Sequence, residues 1–71
     1  MKRYLIVIEK GESNYSAYSP DLPGCIATGA TIEETENTMF EAIEFHLEGM
    51  KEDNITIPEP TAIAEYMAFH A

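Results

Sequence analysis

The chain has one cysteine, only four lysines and arginines together, and no apolar run near the length of a membrane span. Each shortage excludes something. Cys25 alone cannot form an internal disulfide, which points to a reducing, cytoplasmic setting. A small buried strand residue is the expected role for it, ahead of a reactive thiol. A membrane-spanning helix needs about 20 apolar residues. The run Tyr4-Leu5-Ile6-Val7-Ile8 behind Met1-Lys2-Arg3 is too short for a signal peptide and has no small-residue cleavage site before Glu9-Lys10-Gly11, so it reads as a strand. No membrane association is expected. No His or Cys pair has metal-ligand spacing, and neither a metal nor a cofactor is expected.

The shortage of basic residues carries most weight. Four Lys and Arg stand against 13 Asp and Glu, a formal charge of -9. Such a surface repels phosphate backbones and argues against direct nucleic-acid binding. It favours a basic partner and speeds the encounter with it, or it simply keeps a small protein in solution. Seventy-one residues make a single domain, 1–71, without repeat, low-complexity segment or linker. A chain of this size buries only roughly 60% of the surface its unfolded form exposes, so a partner or self-association would relieve a marginal core.

Residues 3–9 are rich in Leu, Ile, Val and Tyr, as a strand should be. Tyr4, Ile6 and Ile8 share one face, Leu5 and Val7 the other, which suggests a central strand or one that meets another subunit. Gly11-Glu12-Ser13-Asn14 is a turn, and a second strand covers about 14–19. Pro20 and Pro23 lack amide donors and must lie outside a paired sheet, while Gly24 frees the exit from the turn. A short third strand follows at about 25–29.

Thr31 with Glu34 is a capping box. From there to about Glu52, Ile32, Thr35, Met39, Ala42, Ile43, His46, Leu47 and Met50 recur at spacings of three and four and form one stripe. Glu33, Asn37, Glu41, Glu44 and Glu48 form the opposite face. Phe40 and Phe45 flank the stripe, Phe45 being the more exposed. Asp53-Asn54 ends the helix, and Pro58 and Pro60 stiffen an extended loop. Ala64 to Phe69 reads as a last strand, pairing at the sheet edge or with another chain. The expected fold class is α+β: a three-stranded antiparallel meander, one long helix packed on the sheet, and a C-terminal strand (β-β-β-α-β).

These residues, in this order, resemble the HicB family of antitoxins. The hairpin is carried by Tyr15, Ala17, Pro20, Asp21, Leu22, Pro23, Gly24 and Cys25, and the helix start by Gly29, Thr31, Glu33 and Glu34. The helix end is carried by Ala42, Ile43, His46, Leu47, Glu48 and Gly49, and the loop by Pro58 and Pro60. The resemblance covers about residues 3–70 and departs from the family at Ala30, where an acidic residue is common. It implies a partly degraded RNase H-like domain that oligomerises as a dimer or tetramer. It also implies a small basic HicA-type toxin as partner, an RNA-cleaving protein that the antitoxin neutralises by covering it. Many members carry a further DNA-binding segment. None is expected here after the last strand, which leaves direct promoter binding in doubt.

An RNase H-type nuclease needs several carboxylates converging on divalent metals. Ile6, Val7 and Ile8 occupy the central positions of the first strand, and Glu41, Glu44 and Glu48 point away from the sheet. No enzyme activity is expected. His46 is expected to be a packed residue, hydrogen-bonded to backbone or a hydroxyl; His70 has no identifiable role. Asp21 either caps nearby amides in its turn or protrudes with Leu22 as a contact loop. The candidate partner-binding residues are thus Tyr18, Leu22 and Phe45 as apolar anchors, Asp21 at the loop, and Glu33, Glu41, Glu44 and Glu48 as rim charges. Tyr66, Met67 and Phe69 are the candidate oligomer contacts.

Overall fold

The computed structural model describes residues 1–71. Three antiparallel strands, β1 (Val7–Lys10), β2 (Tyr15–Tyr18) and β3 (Ile26–Gly29), form a meander in the order β1-β2-β3, and one helix, α1 (Ile32–Glu52), follows. The register places Val7 opposite Tyr18 and Tyr18 opposite Ile26 in one row, with Ile8, Ala17 and Ala27 in the next. Side chains alternate between faces, so the second row points at the helix and the first at the open side of the sheet. Ala17 and Ala27 are buried, whereas Tyr18 and Ile26 are exposed.

β1 is shorter than the apolar run around it. Pairing with β2 stops at Val7 because its partner strand ends at Tyr18, and Pro20, two residues on, has no amide to offer. Residues 3–6 therefore run on without a ladder partner.

The link between β2 and β3 consists of two turns that share Leu22. The Leu22 amide donates to Ser19 O at 3.1 Å, and the Cys25 amide donates to Leu22 O at 3.1 Å. Pro20 and Pro23 each take the second position of a turn, which fixed φ prepares them for. Gly24 takes the third position of the second turn at φ 82°, a left-handed conformation that favours glycine. Because the two turns pivot on Leu22, its side chain points inward and is 1% exposed. It joins Ala17, Cys25, Ala27 and Met39 in a small core, against which Tyr4, Ile6, Ile8, Ala42, Ile43 and Leu47 pack. Cys25 is buried there as expected, and that burial pushes its thiol above the ordinary value.

Helix α1 lies across β3 and β2 and leaves β1 at the margin. Thr31 caps it, its hydroxyl accepting from the Glu34 amide at 3.1 Å. Only half of the expected capping box is formed: the Glu34 carboxylate makes no return bond. Thr35 adds a different bond, its hydroxyl donating to the Thr31 carbonyl at 2.7 Å from a fully buried position. At the other end Asn54, at φ 55°, donates to Lys51 O, and Ile55 donates to Met50 O, which closes the helix in a Schellman arrangement.

Gly29 is the tightest joint between sheet and helix. A Cβ there would stand 2.6 Å from Thr35 Oγ1 and 2.8 Å from the Thr35 amide nitrogen. Backbone cannot yield as a flexible side chain does, so Gly29→Ala should cost about 1–3 kcal/mol. A urea titration read by circular dichroism checks this; an unchanged midpoint would mean that the joint is slack.

The expected strand at 64–69 is not formed. Residues 55–71 carry no regular secondary structure, and Tyr66, Met67 and Phe69 are exposed. The segment is anchored only at its root. The Tyr4 hydroxyl donates to Pro58 O at 2.6 Å, Lys2 pairs with Glu59, and Asp21 accepts from Thr61 and Ala62. Beyond Ala62 it projects as an arm. The radius of gyration is accordingly 13.9 Å, against about 11 Å for a compact chain of this length.

Candidate functional site

Seven glutamates and one lysine lie in α1. At 100° per residue, Glu33, Glu41, Glu44 and Glu48 fall within an arc of roughly 80°. All four are exposed, and none has a salt-bridge partner: the ion pair in the structure is Lys2 with Glu59. The two phenylalanines of α1, both exposed, bracket this acidic strip. Phe40 borders it on the β1 side and Phe45, 78% exposed, borders it on the other. The result is a row of solvated carboxylates beside an apolar ring, a surface able to meet cationic side chains at its rim and an apolar one at its margin.

The structure divides the other candidates. Tyr18 is exposed, but on the open side of the sheet with Val7 and Ile26, facing away from α1. It cannot share one flat contact with the glutamates. Leu22 is not a surface anchor, because the paired turns bury it in the core. Asp21 is no free contact loop either. One carboxylate oxygen accepts from the Thr61 and Ala62 amides and the other from the Thr61 hydroxyl, each at 3.1 Å. The expected capping role is present, but the amides lie forty residues away rather than within the turn.

The Ala62 amide, then the Thr61 hydroxyl and amide, hold the Asp21 carboxyl below its ordinary value of 3.8, against an opposing effect of desolvation. A carboxyl lowered by folding stabilises the anchored root fully above its unfolded value, and this contribution disappears as pH falls through the lower folded value. The Ala62 amide resonance in NMR should therefore titrate with a midpoint below 3.8 and lose that titration in Asp21→Asn. A midpoint at or above 3.8 would contradict the bonded geometry.

His46 is half-buried in the stripe but makes no hydrogen bond to the protein, contrary to expectation. Its ring lines a shallow depression with Phe45, Met50 and Ile55 at the helix end. No three His, Cys, Asp or Glu side chains converge in a geometry that could hold a metal ion. No helix is long and apolar enough to cross a membrane.

Sequence reasoning placed the glutamates but assigned Phe40 no contact. Its signal was available: Phe40 sits three residues before Ile43 and seven before Leu47, on the side of the helix that looks over β1. Together with Tyr4 and Ile6 these residues line an open apolar groove.

Comparisons with known proteins agree with this architecture. Residues 4–70 match the HicB-like antitoxins of bacterial toxin–antitoxin systems. An uncharacterised 14.9 kDa protein from the rep-hol intergenic region of Haemophilus phage HP1 is 42% identical over 64 residues, which are 90% of this chain and 48% of the phage protein. The chain thus spans about half the length of that relative. A UPF0150 protein of Helicobacter pylori is 41% identical over 49 residues, covering 69% of this chain and 68% of its own length. Among solved structures, a chain of the HicA3 and HicB3 toxin–antitoxin complex superposes with a TM-score of 0.71 at 28% identity, over 84% of this chain and 70% of the other. With nearly the whole chain matched and the meander and helix in place, the protein belongs to the HicB-like antitoxin family.

Proposed function

We propose that this chain neutralises a small, basic, HicA-type RNA-cleaving toxin by direct contact, through the outer face of α1. The observation that carries the reading is the strip Glu33, Glu41, Glu44 and Glu48, exposed and without counter-charges, with Phe45 exposed beside it. A carboxylate row of this kind speeds encounter with a basic protein and fixes its orientation, while an exposed aromatic ring supplies a desolvated anchor. Family membership and a structural neighbour from a toxin–antitoxin complex support the pairing. The toxin would be covered rather than chemically altered, so the chain acts without catalysis or cofactor.

The test is co-expression with a small basic HicA-type toxin, followed by purification through a tag on the toxin alone. The chain should co-elute in fixed stoichiometry at low salt, and Phe45→Ala should reduce its recovery. Absence of the chain from the eluate would overturn the reading.

A second reading has its own observation. Tyr66, Met67 and Phe69 stand exposed on the projecting arm, as subunit contacts do before assembly. On that reading the chain is a homo-oligomer that needs no toxin partner.

A further inference from the structure

The open groove beside α1 has a floor, two walls and a single free charge. Ile43 and Leu47, one helical turn apart and half-buried, form the floor. Phe40 and Glu44, also one turn apart and exposed, form the rim on the helix side. Tyr4 and Ile6 form the wall on the strand side. The Tyr4 hydroxyl donates to Pro58 O at 2.6 Å, so that ring is held in place without a ligand. The groove encloses about 320 Å³, at the low end of the roughly 300–1,000 Å³ of ligand pockets. That is room for a long side chain, not for a helix roughly 10–12 Å across.

Two charged residues stand at the mouth, Lys2 and Glu44. Lys2 is paired with Glu59, whereas Glu44 has no partner. The groove therefore offers two aromatic rings, an aliphatic floor and one uncompensated carboxylate. What fits is an apolar stem that ends in a cation, the form that lysine and arginine share. The rings favour arginine. Its planar guanidinium stacks on an aromatic face, meets a carboxylate through two hydrogen bonds, and is less strongly hydrated than an ammonium. The surroundings decide what carries that arginine. Glu48 and Glu41 lie about 40° and 60° around the helix from Glu44, so the groove opens at the margin of a larger acidic surface. A free guanidinium compound would use the groove alone; a basic protein covers both. A second copy of this chain does not suit, because its one arginine is Arg3 and its net charge is -9.

We propose that the groove receives one arginine side chain of the toxin. Its stem lies along Ile43 and Leu47, and its guanidinium stacks on Phe40 and pairs with Glu44. Such a contact rests on the toxin reading above, and it names what the toxin inserts and where. Glu44 becomes the pivot of the interface, shared between the row of rim charges and the groove. Phe40, 66% exposed in the free chain, becomes the residue that tells arginine from lysine. The ring and the carboxylate act together, so losing either one removes most of what the arginine gains.

Isothermal titration calorimetry with a small basic HicA-type toxin tests it, each surface arginine of the toxin being replaced in turn by lysine. That exchange keeps the toxin's charge, so long-range attraction is unchanged and only the planar group is removed. One of the lysine toxins should bind the wild-type chain about ten-fold more weakly than the parent toxin does. Phe40→Ala and Glu44→Gln in this chain should each weaken the parent toxin by about ten-fold too. The penalties should not add: against either variant, that lysine toxin should lose less than about two-fold more. Both positions are exposed, and unchanged far-ultraviolet circular dichroism shows that the fold is spared. A parent toxin that binds Phe40→Ala and Glu44→Gln as tightly as the wild type overturns the groove contact and leaves the toxin reading standing. So does a set of lysine toxins that all bind like the parent, which would make the contact one of charge alone. Additive penalties overturn it as well, by placing the arginine elsewhere. A wild-type chain that binds no toxin overturns the toxin reading and the groove contact together.

Discussion

Leu22→Ala should cost about 2–5 kcal/mol, the range for truncating a buried leucine. A chain of 71 residues has only roughly 4–11 kcal/mol of stability in all. The core it would open is small: Leu22 is packed with Ala17, Cys25, Ala27 and Met39, and no second core can compensate. Leu22 also joins the two turns between β2 and β3, so the cavity would lie under the segment that sets their spacing. Urea denaturation followed by far-ultraviolet circular dichroism should show a midpoint lowered by half or more, or a chain already unfolded in buffer. A stable variant that had merely lost a binding partner would return Leu22 to the surface and contradict the paired-turn geometry.

The second large effect concerns the acidic strip. Reversing Glu41, Glu44 and Glu48 to lysine changes the charge of the helix face by six units without adding strain. Glu44 and Glu48 are a like-charge pair one turn apart, and two lysines at the same positions repel about equally, so α1 should keep its stability. Association with a basic toxin should slow by about 10–1,000-fold at low ionic strength. The difference should shrink as salt rises, because the screening length falls from about 10 Å at 0.1 M to 3 Å at 1 M. Stopped-flow association rates at several salt concentrations check this. Equal rates for wild type and variant at low salt would remove the strip from the contact.

What could be read from the sequence follows from where its signals are local. The Pro-Asp-Leu-Pro-Gly segment, Thr31 and the stripe from Ile32 to Met50 each act within a few residues, and the hairpin, helix start and helix face are where those signals put them. The inward turn of Leu22 was hidden because it arises from two turns sharing one residue, which no single-turn rule describes. Asp21 looked like a local cap because the amides it binds, Thr61 and Ala62, are brought to it only by the folded chain. β1 was read too long for a similar reason: an apolar run reports strand propensity, but the ladder ends where the partner strand does, at Tyr18. The segment at 64–69 has the composition of a strand, but composition does not supply a ladder partner, and no strand of the sheet pairs with it. The helix glutamates were legible as a solvated face from their period alone; that Tyr18 lies on the far side of the sheet from them required the register.

On the proposed function, this antitoxin-family chain silences an RNA-cleaving toxin by covering it. Cleavage of a labelled RNA by the purified toxin, titrated with this chain, tests that directly. Cleavage should stop at a fixed, near-stoichiometric ratio and return when the helix-face glutamates are reversed. Undiminished cleavage in the presence of excess folded chain would contradict it.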